Sequence, residues 1–293
     1  MKRWANISFL ITLLFFAKVV LSQQEMSNWY FGSTCSSLKF LSNGTLTVTP
    51  NGYTPFGEEG CSVLSDPQTG ALKFYTDGNV VIDATHHVMP NGYGLVALTS
   101  SWGSGKIVMD PTLCNRYYIF HNDATGEGDG QRRLYYSMVD MNLPGNGTVF
   151  NPKGDVSPSV KNIQISNNTV EGIEIVPSAK SHDYWILATS NTPSAVSVFK
   201  FNAAGASLVN SYPLLNQPSD IRAIRFCGAN NKLSIASCND FEDVLIMDFN
   251  TATGEITNQT VVPSFPARMN GRGYGVYDLS WSPDGSKLYF SKY

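Results

Sequence analysis

After residue 25 the chain holds no sustained run of apolar residues at i, i+3, i+4 and i+7, so amphipathic helices are excluded as its main building material. Charge is sparse too: 15% of the 293 residues are Asp, Glu, Lys or Arg. So little charge beside 12% aromatic residues excludes a disordered, solvated tail. There is no Gly-x-Ser-x-Gly, no His-Glu-x-x-His and no Cys-x-x-Cys, so nucleophile-elbow hydrolases, zincins and zinc ribbons lose their usual signatures. Gly103-Ser-Gly105 and Gly271-Arg-Gly-Tyr-Gly275 read as turns, because a phosphate-cradling loop leads into a helix.

Histidine and cysteine are equally scarce. His86 and His87 are adjacent on what reads as an extended segment, so they point apart; one is expected to pack and the other to be solvated. His121 and His182 fall in different repeats with no acidic partner close in sequence. The five cysteines, Cys35, Cys61, Cys114, Cys227 and Cys238, leave at least one unpaired in a monomer. Cys35 with Cys61 is the pair best placed to bridge in an oxidising compartment, although buried reduced thiols are the favoured reading. A Cys227–Cys238 bridge is disfavoured, since the turn at Gly228 to Asn231 sets Lys232 opposite Cys227.

What the chain does have is turns and short apolar runs. With 25 Gly and 15 Pro, a strand–turn–strand unit recurs five times. The first strands are Cys61–Ser65, Lys106–Met109, Ile173–Val176, Ile221–Phe226 and Tyr277–Trp281. Their partners are Leu72–Tyr75, Tyr117–Phe120, Tyr184–Leu187, Leu233–Ala236 and Leu288–Phe290, and each pair reads as a hairpin. Third strands are expected at Val80–Ile82, Leu134–Val139, Val196–Phe201 and Val244–Phe249, with fourth strands at Ala206–Ser211 and Glu255–Thr257. Three or four antiparallel strands per repeat make the fold class all-β, with blades of the β-propeller type.

The first 22 residues differ. Lys2 and Arg3 precede the apolar stretch Ile7 to Leu21, which ends in Val20-Leu21-Ser22 ahead of Gln23. This is the pattern of a secretory signal peptide. A membrane anchor is the rival, but a stretch of about 15 residues broken by Lys18 falls short of the roughly 20 that span a bilayer. The expected division is residues 1–22 as signal peptide and 23–293 as one propeller domain. Loss of Lys2, Arg3 and Lys18 takes the formal charge from -3 to -6, which disfavours nucleic acid as a partner.

Several blocks carry a resemblance. Asn28-Trp-Tyr-Phe-Gly32, Glu59-Gly-Cys-Ser-Val-Leu-Ser-Asp66, Gly70-Ala-Leu-Lys-Phe-Tyr-Thr-Asp-Gly78 and His87-Val-Met-Pro-Asn-Gly92 resemble the N-terminal propeller region of large secreted surface proteins of Bacteroidetes. Leu279-Ser-Trp-Ser-Pro-Asp-Gly-Ser-Lys-Leu-Tyr-Phe290 is similar to the PD40 or WD40-like repeat of TolB-type propellers. The resemblance implies PKD-type or other immunoglobulin-like modules and a sorting domain for type IX secretion or gliding-associated export further along. None of these lies within the present sequence, whose fifth repeat stops after its second strand. The ring is therefore expected to be incomplete, with Asn28–Phe31 as a candidate closing strand for the last blade.

Candidate functional residues are few. Trp102, Arg272 and Tyr274 sit on inter-blade loops and are of types that dominate recognition surfaces carried on rigid scaffolds. In the loop from Asp123 to Gly130, the side chains of Asp123, Thr125, Glu127 and Asp129 place oxygen at alternate positions, the spacing of a calcium loop. Without the full EF-hand pattern, a solvated hairpin tip is the favoured reading, and no other cofactor is expected. The sequence thus points to a non-catalytic recognition or scaffold module, secreted or at the cell surface, with a protein or glycan partner. A propeller hydrolase or lyase acting on glycans or peptides is the alternative, and an architectural spacer the third reading.

Overall fold

The computed structural model describes residues 24–31, 36–41, 43–50, 52–53, 57, 59–98, 101, 103–123, 131–218, 221–237, 244–263 and 275–292. The expected signal peptide, residues 1–22, lies outside them. Apart from one turn of 3-10 helix at Pro158–Val160, the regular structure described is strand. Among these residues no helix is long and apolar enough to cross a membrane.

The strands form six sheets in chain order. The first holds β1 (Asn28–Phe31), β2 (Ser36–Phe40) and β3 (Leu46–Pro50), and the second β4 (Ser62–Ser65), β5 (Leu72–Thr76) and β6 (Val81–Asp83). The third has five strands: β7 (Lys106–Met109), β8 (Arg116–Asp123), β9 (Arg133–Asp140), β10 (Asp155–Val156) and β11 (Ile163–Ser166). The fourth holds β12 (Ile173–Pro177), β13 (Tyr184–Asn191), β14 (Ser194–Asn202) and β15 (Gly205–Pro213). The fifth holds β16 (Ile221–Cys227), β17 (Lys232–Ser237), β18 (Val244–Asn250) and β19 (Glu255–Val262), and the sixth β20 (Val276–Trp281) with β21 (Leu288–Lys292). All five expected hairpins are present, and the fourth strands of the fourth and fifth sheets are longer than the sequence indicates. The sheet of β1 to β3 was not anticipated as a unit.

Period-two burial explains why the sheets stack. Along β8, Tyr117 and Ile119 join an apolar layer with Phe74 and Val81 of the second sheet. The alternate residues Tyr118 and Phe120 pack with Ile186 and Phe201 of the fourth. β13 repeats the pattern: Ile186 faces the third sheet, while Trp185 and Leu187 meet Leu233, Ile235 and Phe249 of the fifth. Tyr30 stacks on Tyr75 between the first two sheets, ring centroids 4.4 Å apart. Val276 and Leu279 pack on Ala223, Ala236 and Val244 between the last two. A middle strand buried on both faces has no polar side to offer solvent, and so reads as a near-continuous apolar run. Burying one such Phe or Leu side chain contributes roughly 1.5–3 kcal/mol.

The innermost strands β1, β4, β7, β12, β16 and β20 approach one another in that order, as the strands lining a propeller's central channel do. The expected closing strand is not formed. β1 pairs with β2 in its own sheet, Trp29 opposite Leu38, and the described partner of β21 is β20. Asn28 fixes the choice: its Nδ2 donates to Ser65 Oγ at 2.9 Å and to the Gly70 carbonyl at 2.8 Å, binding β1 to the second sheet. The Cys227 reading holds, with Lys232 directly opposite, and Cys61, Cys114 and Cys227 are free thiols. Cys35 and Cys238 lie outside the described residues. His86 and His87 occupy a turn after β6 rather than a strand. His86, at φ 66°, tilts against Tyr30 and takes a 3.2 Å contact from the Tyr75 hydroxyl, while His87 is exposed.

Two features of this framework yield measurable outcomes. A Cβ on Gly103 would lie 1.9 Å from the Glu171 carbonyl oxygen, and one on Gly60 2.2 Å from that of Ser101. Gly103→Ala and Gly60→Ala are each expected to lower stability by about 1–3 kcal/mol in urea titrations, as overpacking does. His121 is fully buried. The Val96 carbonyl can only accept, so Nδ1 carries the proton and Nε2 accepts from Ser137, both at 3.0 Å. Burial pulls its pKa from 6.5 to about 4, so the unfolded chain binds a proton first and stability is lost as pH falls from about 6.5 toward 4. His121→Gln should flatten that part of the stability–pH curve.

Candidate functional site

The chain enters each of the second to sixth sheets by its innermost strand, so the starts of β4, β7, β12, β16 and β20 gather at one end of the channel. Polar side chains sit there because inner strands face water rather than another sheet. Glu59 precedes β4, Glu171 precedes β12, and Arg222 and Tyr277 are the second residues of β16 and β20. The Tyr277 hydroxyl donates to Glu59 Oε1 at 2.6 Å, and the Arg222 guanidinium lies 5.6 Å from the Tyr277 ring centroid. Burial, and then the bond to Glu59, push the Tyr277 phenol up to about 12, with Arg222 pulling the other way. Tyr277 is therefore a neutral hydrogen-bond donor across the whole physiological range.

Further along the channel four inner strands present charges of alternating sign: Lys106 on β7, Glu174 on β12, Arg225 on β16 and Asp278 on β20. Arg225 donates to Asp278 Oδ1 at 2.6 Å. Desolvation holds the Lys106 amine below the usual lysine range, with Glu174 and Asp278 opposing that shift and Arg225 adding to it. Beside them opens a cavity of about 500 Å³ whose walls come from β1, β4, β7 and β12. Glu25, Lys106 and Glu174 are its charged lining, and Trp29, Phe31, Val63 and Val108 supply apolar surface. That volume lies in the roughly 300–1,000 Å³ range of small-molecule sites, and rigid strands carry the lining. Cys61 also lines the cavity, but burial first and the Asp77 charge second push its thiol up to about 11, so it is not a thiolate nucleophile near neutrality.

Of the residues singled out from the sequence, Trp102, Arg272, Tyr274, Thr125, Glu127 and Asp129 lie outside the described residues. Their described neighbours sit at the channel end already defined. Ser101 and Gly103 pack between Gly60 and Glu171, and Gly275 leads into β20. Asp123 ends β8 opposite Arg133 at the same end, half-buried, with Oδ1 lacking a hydrogen-bond partner among the described residues. No group of three His, Cys, Asp or Glu that could hold a metal occurs among the described residues.

Sequence reasoning misses Lys106, Glu174, Arg225, Asp278, Glu59 and Tyr277, each read as an ordinary strand or loop position. One signal was present: the first strands of four successive repeats carry charge of a single sign each, alternating from Lys106 to Glu174, to Arg222 with Arg225, to Asp278.

No protein-family model matches the chain, and no curated protein matches it. Solved structures do. A protein of Bacteroides uniformis assigned as a 6-phosphogluconolactonase superposes with a TM-score of 0.53 at 12% identity, covering 89% of this chain and 72% of that one. The fold is a β-propeller. A Bacteroides fragilis protein with the same assignment gives 0.49 at 12% identity, covering 89% and 71%. An exo-β-1,3-galactanase of Phanerochaete chrysosporium gives 0.42 at 10%, covering 71% and 51%. At 12% identity the Bacteroides uniformis likeness speaks to the fold alone.

The Tyr277 environment is directly measurable. Stability should fall as pH rises from about 10 to about 12, because the folded propeller keeps the phenol protonated after the unfolded chain has lost it. In a tyrosinate absorbance titration, Tyr277→Phe should remove one of the late-ionising groups.

Proposed function

We propose that this propeller is an exported, non-catalytic recognition module at the cell surface, binding a protein or glycan partner at the channel. The observation that carries the reading is the cavity of about 500 Å³ on rigid inner strands, lined by a few charged side chains among apolar ones. Few precisely placed polar groups in a largely apolar wall suit reversible binding. An architectural spacer would have no use for such a cavity. The resemblance to surface proteins of Bacteroidetes, and a leader cleaved before Gln23, belong to the same proposal, as do Trp102, Arg272 and Tyr274 as rim contacts and calcium at Asp123, Thr125, Glu127 and Asp129.

One observation favours a second reading. Glu59, Glu171, Arg222 and Tyr277 converge at one channel end, as a hydrolase or lyase acting on glycans or peptides would require. Acid–base catalysis works best with a group whose pKa lies near the operating pH. Tyr277, pushed up to about 12, is better matched to donating a hydrogen bond than to taking a proton.

Incubating the exported protein, its mature N-terminus checked by sequencing, with pools of oligosaccharides and peptides separates the two. Mass spectrometry should find the pools unchanged while calorimetry finds a binder. Turnover that Tyr277→Phe or Glu59→Gln abolishes would replace the recognition reading with the enzymatic one.

A further inference from the structure

We infer that the channel cavity is a neutral-sugar site. It takes an uncharged hexose ring whose C–H face lies on Trp29 and Phe31 and whose neighbouring hydroxyls span Lys106 and Glu174. This rests on the recognition reading and names its ligand class. β1 alternates: Asn28 and Tyr30 face the second sheet, while Trp29 and Phe31 point the other way and remain 44% and 40% exposed. Both line the cavity. The Trp29 indole N–H is already used, donating to the Met26 carbonyl at 3.0 Å, and Phe40 packs beside the ring at 5.2 Å between centroids. The indole is thus held in place, and what it offers a ligand is its apolar surface.

Lys106 and Glu174, also in the lining, supply complementary polarity. Among the described residues Lys106 has no hydrogen-bond or ion-pair partner, and it lines the cavity, where an ammonium can donate to a ligand. Glu174 uses Oε1 to accept from the Ile175 backbone N–H at 3.1 Å, which leaves Oε2 as an acceptor. A hydroxyl both accepts and donates, so adjacent hydroxyls of one ring can satisfy an ammonium and a carboxylate at once.

Charge selects against the other ligands of this size. Glu25 and Glu174 outnumber Lys106 in the lining, so an anion meets net repulsion. A zwitterion would have to draw the ammonium and carboxylate to its own two charges and lose the attraction between them. Neither has a use for an exposed aromatic surface unless it also carries an apolar body.

The test uses the full chain with methyl glucoside, methyl galactoside and methyl mannoside as neutral probes, glucuronate as the anion and leucine as the zwitterion. Saturation-transfer NMR and calorimetry read binding. At least one neutral glycoside should bind with saturation reaching its ring C–H protons, and Trp29→Ala and Lys106→Met should each weaken it about tenfold or more. Trp29→Phe should retain most of the affinity, and melting curves confirm that each variant is folded. Binding of none of the neutral glycosides, preference for leucine or glucuronate, or affinity untouched by both Trp29→Ala and Lys106→Met overturns the inference. Leucine or glucuronate bound in the cavity would leave the recognition reading standing without the sugar. Cleavage of a bound glycoside would do the reverse.

Discussion

Two-sided burial of the middle strands governs this molecule. β8, β13 and β17 each send alternate side chains into a different apolar layer, so a sheet in isolation would expose half its core. Only a neighbour on each side satisfies it. Serial stacking then follows from chain order, and the blades are arranged radially around an axis. The innermost strands face that axis, where no further sheet covers them, and polar residues are tolerated there. The central channel is a consequence of how the middle strands bury their side chains.

The fold was legible where this rule writes itself into sequence. Tyr117-Tyr-Ile-Phe120 and Tyr184-Trp-Ile-Leu187 are unbroken apolar runs because both faces of β8 and β13 are covered. The Gly228–Asn231 turn fixed the register of β16 against β17 down to Lys232 facing Cys227. The first sheet was opaque because one of its faces is bare: Trp29, Phe40, Leu46 and Val48 are exposed, and Ser- and Thr-rich β2 and β3 lack the double-sided signature. Without recognised partners, β1 was free to be paired elsewhere on paper.

The site was less legible than the fold, for a different reason. Lys106, Glu174, Arg225 and Asp278 belong to four separate repeats, and a lone charge on a strand ordinarily means a solvated face. Their meaning comes from stacking, which places the first strands of successive sheets side by side. Tyr277 and Glu59 are still more remote in sequence, yet they meet at 2.6 Å. Aromatic and acidic residues on loops attracted attention because loops often carry function, whereas the described chemistry sits on or just ahead of the inner strands.

The alternating charges also act as a counting device. Each inner strand from β7 to β20 stands beside one of opposite sign, so the order of the sheets around the axis is written in electrostatics as well as in connectivity. Excising the fourth sheet would set Lys106 beside Arg225; duplicating it would set two glutamates side by side. Repeat proteins commonly gain and lose whole units by recombination, since each unit contacts only its neighbours. Here an odd change in the number of interior sheets places like charges together at the channel wall, and only even changes preserve the pattern.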